Sequence, residues 1–274
     1  MVKFPSVFVN HGGGPLPLLG QQQALVENMK KVVDEFLPKE DPSAIVVLSA
    51  HWESDPIKVT SVAKPSMYYD YYGFPPETYK YEYPSPGSPA LAQKIHELLG
   101  NNDLKSELDE RRGYDHGVFI PLMIMYPNAN IPVVCVSLHQ SLDAELNMRI
   151  GGALAPLRDD GVLILGSGYS FHNMKAFFNP TEETVQASKD FNVWLKDTIL
   201  DKDSDYLEKL KKWDEAPGGR ICHPREEHLL PLLMAAAAGG TDAEPKLIYD
   251  TTLDSSDDPS YQVSDHAVTG YLFQ

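Results

Sequence analysis

The chain has 274 residues, 42% of them hydrophobic, and a formal net charge of −16. The acidic balance argues against a nucleic-acid surface, and no apolar run approaches the roughly 20 residues of a membrane span. With only two cysteines and no apolar leader at the N-terminus, we expect a cytoplasmic protein without a disulfide framework. The length suits one catalytic domain over residues 1–274, as a monomer or a small homo-oligomer.

Apolar runs alternate with helical periods along the chain. In order, the predicted elements are a strand at 6–9, a helix at 21–36, strands at 44–48 and 57–62, helices at 89–99 and 119–126, a strand at 131–138, a helix at 144–157, a strand at 162–165, helices at 182–200, 206–212 and 229–238, and strands at 246–250 and 267–273. This order predicts an α/β fold with a mostly parallel or mixed sheet flanked by helices.

Two stretches are predicted to be loops. Residues 64–86 contain seven tyrosines and five prolines without helical periodicity, which predicts a long ordered loop. Its tyrosines could form an aromatic lid over a flat substrate, or could pin the loop to the surface by packing. Residues 254–258 are polar and predict a solvated loop.

Five of the nine histidines stand where a predicted strand ends or where a turn meets a helix. They are His11, His51, His116, His172 and His228. Ligands of open α/β sheets bind beyond the carboxyl ends of the parallel strands, so imidazoles from distant segments can meet there. The pattern predicts a mononuclear metal site with a titratable histidine beside it.

The surroundings of His51 and His228 leave alternatives open. His51 is favoured as a metal ligand over a core histidine, and Glu53 is either a carboxylate that orients an imidazole or a surface charge. His228 is favoured over His223, because their spacing across a proline keeps both from sharing one helical face. Glu227 is an alternative oxygen ligand, or part of a charged first turn of a helix.

Other residues suggest different chemistry. The glycines that flank Ser167 are adjacent to it, whereas a nucleophile elbow has them two residues away on either side, so a serine hydrolase is a weak rival. The turn after His11 matches neither phosphate-binding glycine pattern. Lys175 and Arg225 are candidate partners for a substrate carboxylate.

Taken together, the segments resemble the class III extradiol dioxygenase superfamily, and most closely its 4,5-DOPA extradiol dioxygenase-like branch. The matching stretches run from about residue 8 to 234 and are His11-Gly12-Gly13-Gly14-Pro15, Ser49-Ala50-His51-Trp52, Tyr114-Asp115-His116-Gly117 with Pro121-Leu122, Gly166-Ser167-Gly168 with His172-Asn173, and His223-Pro224 with Glu227-His228 and Leu230-Pro231-Leu232. The resemblance implies a non-haem metal enzyme that uses O2 to open a small aromatic diol next to its hydroxyl groups.

The same resemblance implies roles for the histidines. His11, His51 and His228 would hold the metal at the carboxyl ends of the strands. His172 would be the acid/base residue and can count as a fourth ligand, and His116 would lie beside the substrate. Relatives in the wider superfamily use two histidines and a glutamate, which makes Glu227 the alternative to His228.

The resemblance further implies Fe(II) for turnover, with Zn(II) also possible in the isolated protein. Two other functions compete with the dioxygenase. One is a zinc-dependent hydrolase or lyase that uses the same histidines to activate water. The other is a metal-binding or scaffold protein of the same fold without catalysis.

Overall fold

An eight-stranded sheet forms the centre of the protein in the computed structural model, which describes residues 2–202, 205–253 and 265–274. The strands are β1 (Ser6–Asn10), β2 (Ala44–Ser54), β3 (Ile57–Thr60), β4 (Ser106–Asp109), β5 (Val133–His139), β6 (Val162–Gly168), β7 (Pro245–Thr252) and β8 (Ala267–Phe273). Their order across the sheet is β4-β3-β5-β2-β6-β1-β8-β7. The polar loop expected at 254–258 lies outside the described residues.

The centre of the sheet is parallel and its margins are mixed. Strands β5, β2, β6 and β1 run parallel and are almost completely buried in their apolar parts. Burial on both faces explains why these strands are continuous apolar runs in the sequence. At the margins β3 pairs antiparallel with β5, and β8 pairs antiparallel with β1 and β7. The predicted α/β fold with a mixed sheet is confirmed.

Nine α-helices surround this sheet within the described ranges. They are α1 (Gln23–Lys31), α2 (Pro89–Asn101), α3 (His116–Met125), α4 (Ala144–Leu154), α5 (Met174–Phe178), α6 (Glu182–Ile199), α7 (Tyr206–Leu210), α8 (Gly219–Cys222) and α9 (Leu230–Gly239). None of the helices in these ranges has both the length and the apolarity that crossing a bilayer requires. The loop over 64–86 contains only one short 3-10 helix, Pro76–Lys80.

The end of β6 shows how helices cover both faces of the sheet. Ser167 donates its hydroxyl proton to the carbonyl of Gly117 in α3. A Cβ on Gly166 or Gly168 would collide with the carbonyl oxygens of Pro231 and His228, at the start of α9. Alternate residues of a strand point to opposite faces, so α3 and α9 lie on opposite sides of β6.

Two site-bearing strands are longer than predicted. β2 continues past residue 48 to Ser54, with a register shift between Leu48 and Glu53. His51 therefore lies inside this irregular stretch of strand, where a bulge can re-aim a side chain. β6 continues through its glycines, which are typical of a turn but are here buried strand residues. In contrast, α9 starts only at Leu230, so His228 stands in the turn before this helix.

Candidate functional site

All five histidines singled out in the sequence converge at the carboxyl ends of the central strands. His11 follows β1, His51 lies near the end of β2, and His172 follows β6. His116 is the first residue of α3, and His228 lies just before α9. The five side chains line one cavity of about 430 Å³.

Three of these imidazoles are spaced closely enough to be ligands of one metal ion. Nε2 of His11 lies 3.1 Å from Nε2 of His51. The ligand nitrogens of His11, His51 and His228 all lie within 4.8 Å of one another. A metal ion about 2.0–2.1 Å from each nitrogen would separate two ligand nitrogens by roughly 3–4 Å, so the three side chains need little adjustment to share one.

Ser167 sets the orientation of the His11 ring. Its Oγ lies 3.1 Å from Nδ1 of His11, and its own proton goes to the carbonyl of Gly117. A hydroxyl has only one proton, so Oγ accepts from Nδ1–H and leaves Nε2 of His11 unprotonated. Ser167 is fully buried and engaged on both sides, which removes it as an accessible nucleophile.

Asp70, which the sequence reasoning missed, holds two more imidazoles. Its Oδ1 accepts hydrogen bonds from the backbone N–H of His116 at 2.9 Å and from Nδ1 of His116 at 2.8 Å. Its Oδ2 lies 3.5 Å from Nδ1 of His51. Burial acts to raise the pKa of Asp70, but the hydrogen bonds from His116 and the nearby imidazoles lower it to about 2. Asp70 is therefore an anion that orients both rings.

Glu227 performs the same task for the remaining two histidines. Its Oε1 lies 2.9 Å from Nδ1 of His228 and 3.4 Å from Nδ1 of His172. Burial acts to raise the pKa of Glu227, but the interaction with His172 and the charge of Arg225 lower it below the ordinary value. Arg225 lies 3.3 Å from Glu227 and donates two hydrogen bonds to Glu53. Glu53 thus contacts Arg225, and in the described structure it orients no imidazole directly.

Three polar side chains, Ser167, Asp70 and Glu227, consequently hold the Nδ1 atoms of all five histidines. Such partners fix the tautomer and the ring orientation of metal-binding imidazoles. In His11 and His51 the other ring nitrogens, the two Nε2 atoms, lie 3.1 Å apart.

The electrostatic environment keeps the three-imidazole group neutral. Burial and neighbouring imidazoles lower the pKa values of His11, His51 and His228 well below 6.5. Neutral imidazole is the form that binds a metal. Nε2 of His11 is unprotonated and lies 3.1 Å from Nε2 of His51, a spacing at which the two nitrogens can share one cation. The donor set fits a divalent metal.

His172 and His116 stand beside this group. The ring of His172 stacks on that of His228, with centroids 3.4 Å apart and an interplanar angle of 11°. The ring of His116 lies 3.9 Å from that of His51. Both side chains face the cavity, where a bound molecule would meet them next to the metal ligands.

Apart from the histidines and Gln22, the cavity wall consists of glycines and of aromatic and aliphatic side chains. The tyrosine-rich loop contributes Tyr71 and Tyr72 to the lining, whereas Tyr83 is buried beneath the surface. Some tyrosines of the loop therefore line the cavity, and others anchor the loop to the rest of the protein. Neither Lys175 nor Arg225 lines the cavity, contrary to their expected role, because Lys175 is exposed elsewhere on α5 and Arg225 is paired with acidic side chains.

Known proteins resemble this chain over most of its length. A family model described as the catalytic LigB subunit of aromatic ring-opening dioxygenase matches residues 7–256. The dioxygenase tasH of Hapsidospora irregularis is 36% identical over 263 residues, which cover 89% of this chain and 80% of that protein. The 4,5-DOPA dioxygenase extradiol of Beta vulgaris is 36% identical over 245 residues, covering 89% and 90%.

Bacterial relatives extend the comparison to structure. The 4,5-DOPA dioxygenase extradiol of Escherichia coli (strain K12) is 34% identical over 238 residues, covering 86% of this chain and 85% of that protein. A crystal structure of an uncharacterized protein from Escherichia coli K12 superposes with a TM-score of 0.77 and 26% sequence identity, over 99% of this chain and 100% of that one. The similarity thus includes both the sheet and the segments that carry the five histidines.

Proposed function

Because the chain belongs to the LigB family of extradiol, aromatic ring-opening dioxygenases, we propose that it cleaves a catecholic ring with O2 at a mononuclear non-haem metal. His11, His51 and His228 are the ligands in this proposal, and residues 1–274 act as one catalytic domain. The observation that carries it is the convergence of three neutral imidazoles whose Nδ1 atoms are all held by other side chains.

The choice of metal follows from the reaction. Fe(II), when bound, supplies Lewis acidity toward the two diol oxygens and exchanges electrons with O2, which d¹⁰ zinc cannot do. We therefore assign Fe(II) to turnover and treat Zn(II) as an ion that fits the same nitrogens in the isolated protein. The donor atoms are imidazole nitrogens, which suit both ions.

His172 is the acid/base residue in this mechanism. It stands beside His228 and faces the cavity, where it takes the proton of a substrate hydroxyl group and later returns it. The Oε1 atom of Glu227, 3.4 Å from Nδ1 of His172, stabilises the imidazolium between these two steps. A general acid/base of this kind typically contributes about 10²–10⁴-fold to the rate. His172 lies outside the group of His11, His51 and His228, and its own close neighbours are Glu227 and His228.

His116 positions the substrate. Asp70 anchors both its backbone N–H and its Nδ1, which leaves Nε2 to hydrogen-bond a substrate oxygen. The net reaction breaks the ring bond between one hydroxylated carbon and its unsubstituted neighbour. The hydroxylated carbon becomes a carboxylic acid and its neighbour an aldehyde, and both atoms of O2 enter the product, so no further reductant is needed.

Oxygen uptake separates this proposal from a zinc hydrolase. Metal-free protein is reconstituted anaerobically with Fe(II) or with Zn(II), and each form is mixed with a panel of catechols in air-saturated buffer. We expect O2 uptake matched by a yellow ring-opened product with Fe(II), and no uptake with Zn(II). Activity that appears with zinc alone, without O2 consumption, would overturn the proposal in favour of hydrolysis.

A further inference from the structure

The cavity is apolar on the side away from the metal ligands. Tyr71 and Phe74 form one wall, with ring centroids 5.6 Å apart, and Tyr71 reaches within 6.0 Å of the His116 ring. Phe177, in α5, contributes another wall, 5.9 Å from the ring of His172. A substrate held between His116 and His172 therefore meets aromatic side chains next to its ring.

The same apolar lining continues to the mouth of the cavity. Tyr72, Met174 and Phe178 line it and are 91%, 53% and 69% exposed. Large apolar side chains at these exposures are in contact with water on one side and with the cavity on the other. A patch of exposed apolar side chains next to a pocket is typical of a ligand-binding groove.

Neither Lys nor Arg lines the described cavity, so an anionic substituent has no permanently charged cation to pair with there. Of the described residues that line the cavity, none is Lys or Arg, and the residues outside the described ranges contain neither type. Arg225 is engaged by Glu53 and Glu227, and Arg112 by Asp115. The net charge of −16 adds a repulsive field toward an anion.

The polar group of Gln22, which also lines the cavity, is already engaged. Its Oε1 accepts the backbone N–H of Gly13 at 2.9 Å, and the residue is 5% exposed. Gln22 therefore holds the glycine turn after His11 in place, and its neutral amide carries no charge to pair with a carboxylate.

The cavity has room for more than a bare ring. Its volume is about 430 Å³, whereas an apolar cavity of about 150 Å³ already accommodates benzene in another protein. Aromatic and aliphatic side chains, among them Leu16, Phe74, Met174, Phe177 and Phe178, line this cavity together with the histidines.

From these observations we propose that the substrate is an uncharged catechol whose ring carries an apolar substituent, directed toward Phe74, Phe177 and Phe178. This inference rests on the proposed ring-opening function and specifies its substrate class. An ionised carboxylate in the same place would lose hydration without gaining a cationic partner, which costs binding free energy.

Dihydrocaffeic acid and its methyl ester form a matched pair of probes, because they share the catechol and the chain and differ in charge. With Fe(II)-loaded protein we expect kcat/KM for the ester to exceed that for the acid by about tenfold or more. Anaerobic calorimetry gives the same comparison as a ratio of Kd values, independently of turnover.

The outcomes distinguish the two proposals. Oxygen uptake with the acid as efficient as with the ester overturns the substrate assignment and leaves ring opening intact. If neither these probes nor any other catechol of the panel supports uptake, the ring-opening function is overturned, and the Kd ratio alone then decides the substrate assignment: tighter binding of the ester supports it, and equal or tighter binding of the acid overturns it.

A charge added at the mouth tests where the substituent lies. In Phe178→Arg we expect the ester-to-acid ratio to fall by about two- to fivefold, the range of an exposed ion pair. Val193→Arg is the matched control, since Val193 is 51% exposed on α6 and does not line the cavity. A ratio that falls equally in both variants, or in neither, overturns the placement of the substituent.

Discussion

The two ends of the cavity are built in different ways. At the histidine end, side chains come from the ends of central strands and the starts of α3 and α9, and every Nδ1 atom is held by Ser167, Asp70 or Glu227. At the apolar end, side chains come from the loop over 64–86 and from α5, and several are largely exposed. Buried hydrogen bonds fix the part proposed to hold a metal, whereas aromatic packing, together with a hydrogen bond from Tyr71 to the carbonyl of Thr78, shapes the part proposed to select the substituent.

The largest effect within the histidine end is expected from His172→Ala. Loss of the acid/base should lower kcat by about 10²–10⁴-fold, while the Kd for Fe(II) stays close to that of the unmodified protein. The measurements are single-turnover rates and metal content after dialysis. His228→Ala is the matched control, because its ring stacks on His172 but is assigned to the metal, so it should lose the ion. Equal metal loss in both variants would contradict the division of roles.

A smaller loss is expected from Asp70→Asn. The amide keeps the shape of the carboxylate but not its charge, so His51 and His116 lose their anionic anchor. Changes of this kind typically cost about 10–100-fold in metal affinity or activity. Both the Kd for Fe(II) and the KM for a catechol should rise. Asp159→Asn, at a surface carboxylate that pairs with Lys3, should change neither, and unaltered constants in Asp70→Asn would remove its positioning role.

Ser167→Ala tests the orientation of a single ligand. It removes the acceptor of Nδ1 of His11 and the donor to Gly117, and a net hydrogen bond of about 0.5–1.5 kcal/mol corresponds to roughly two- to twelvefold in metal affinity. Ser43→Ala, in which an exposed hydroxyl loses its contact with Asp160, is the control. Complete loss of activity with normal metal content would instead indicate that the serine takes part in the chemistry.

Glu53→Gln should have the smallest effect. It weakens the pairing with Arg225, whose side chain is 54% exposed, and exposed ion pairs contribute about 0.2–1 kcal/mol. Metal affinity should therefore change by less than about fivefold. Glu145→Gln, which loosens a surface pair with Lys211, provides the comparison. A loss as large as that of Asp70→Asn would mean that Glu53 has a direct part in the site.

The sequence predicted the histidine end far better than its supports. His11, His51 and His172 follow apolar runs that are recognisable as buried strands, so their convergence follows from the topology of a parallel sheet. Asp70 gives no comparable signal, because it lies in an irregular loop whose position depends on tertiary packing. The sequence did not predict Gly166 to Gly168 as strand residues for a related reason. Glycines are needed there because the start of α9 packs closely against β6, and a local sequence pattern does not show this contact.

The ion pairs around the site could not be predicted from the sequence either. Arg225 was expected near a substrate carboxylate, yet it pairs with Glu53, a residue of a distant strand. Such ion pairs depend on which segments of the chain meet in the fold. Neither the spacing of residues in the sequence nor the composition indicates these contacts. The apolar character of the mouth is likewise a property of two separate segments, the loop over 64–86 and α5.

A crystal structure of the protein loaded anaerobically with Fe(II) tests the central claim most directly. We predict one ion about 2.0–2.2 Å from the Nε2 atoms of His11, His51 and His228, with Asp70 and Glu227 remaining on the far side of the rings. Two other groups of side chains have ligand-like spacing, His51-Asp70-His116 and His172-Glu227-His228. An ion bound at either of these, with His11 left free, would contradict the account.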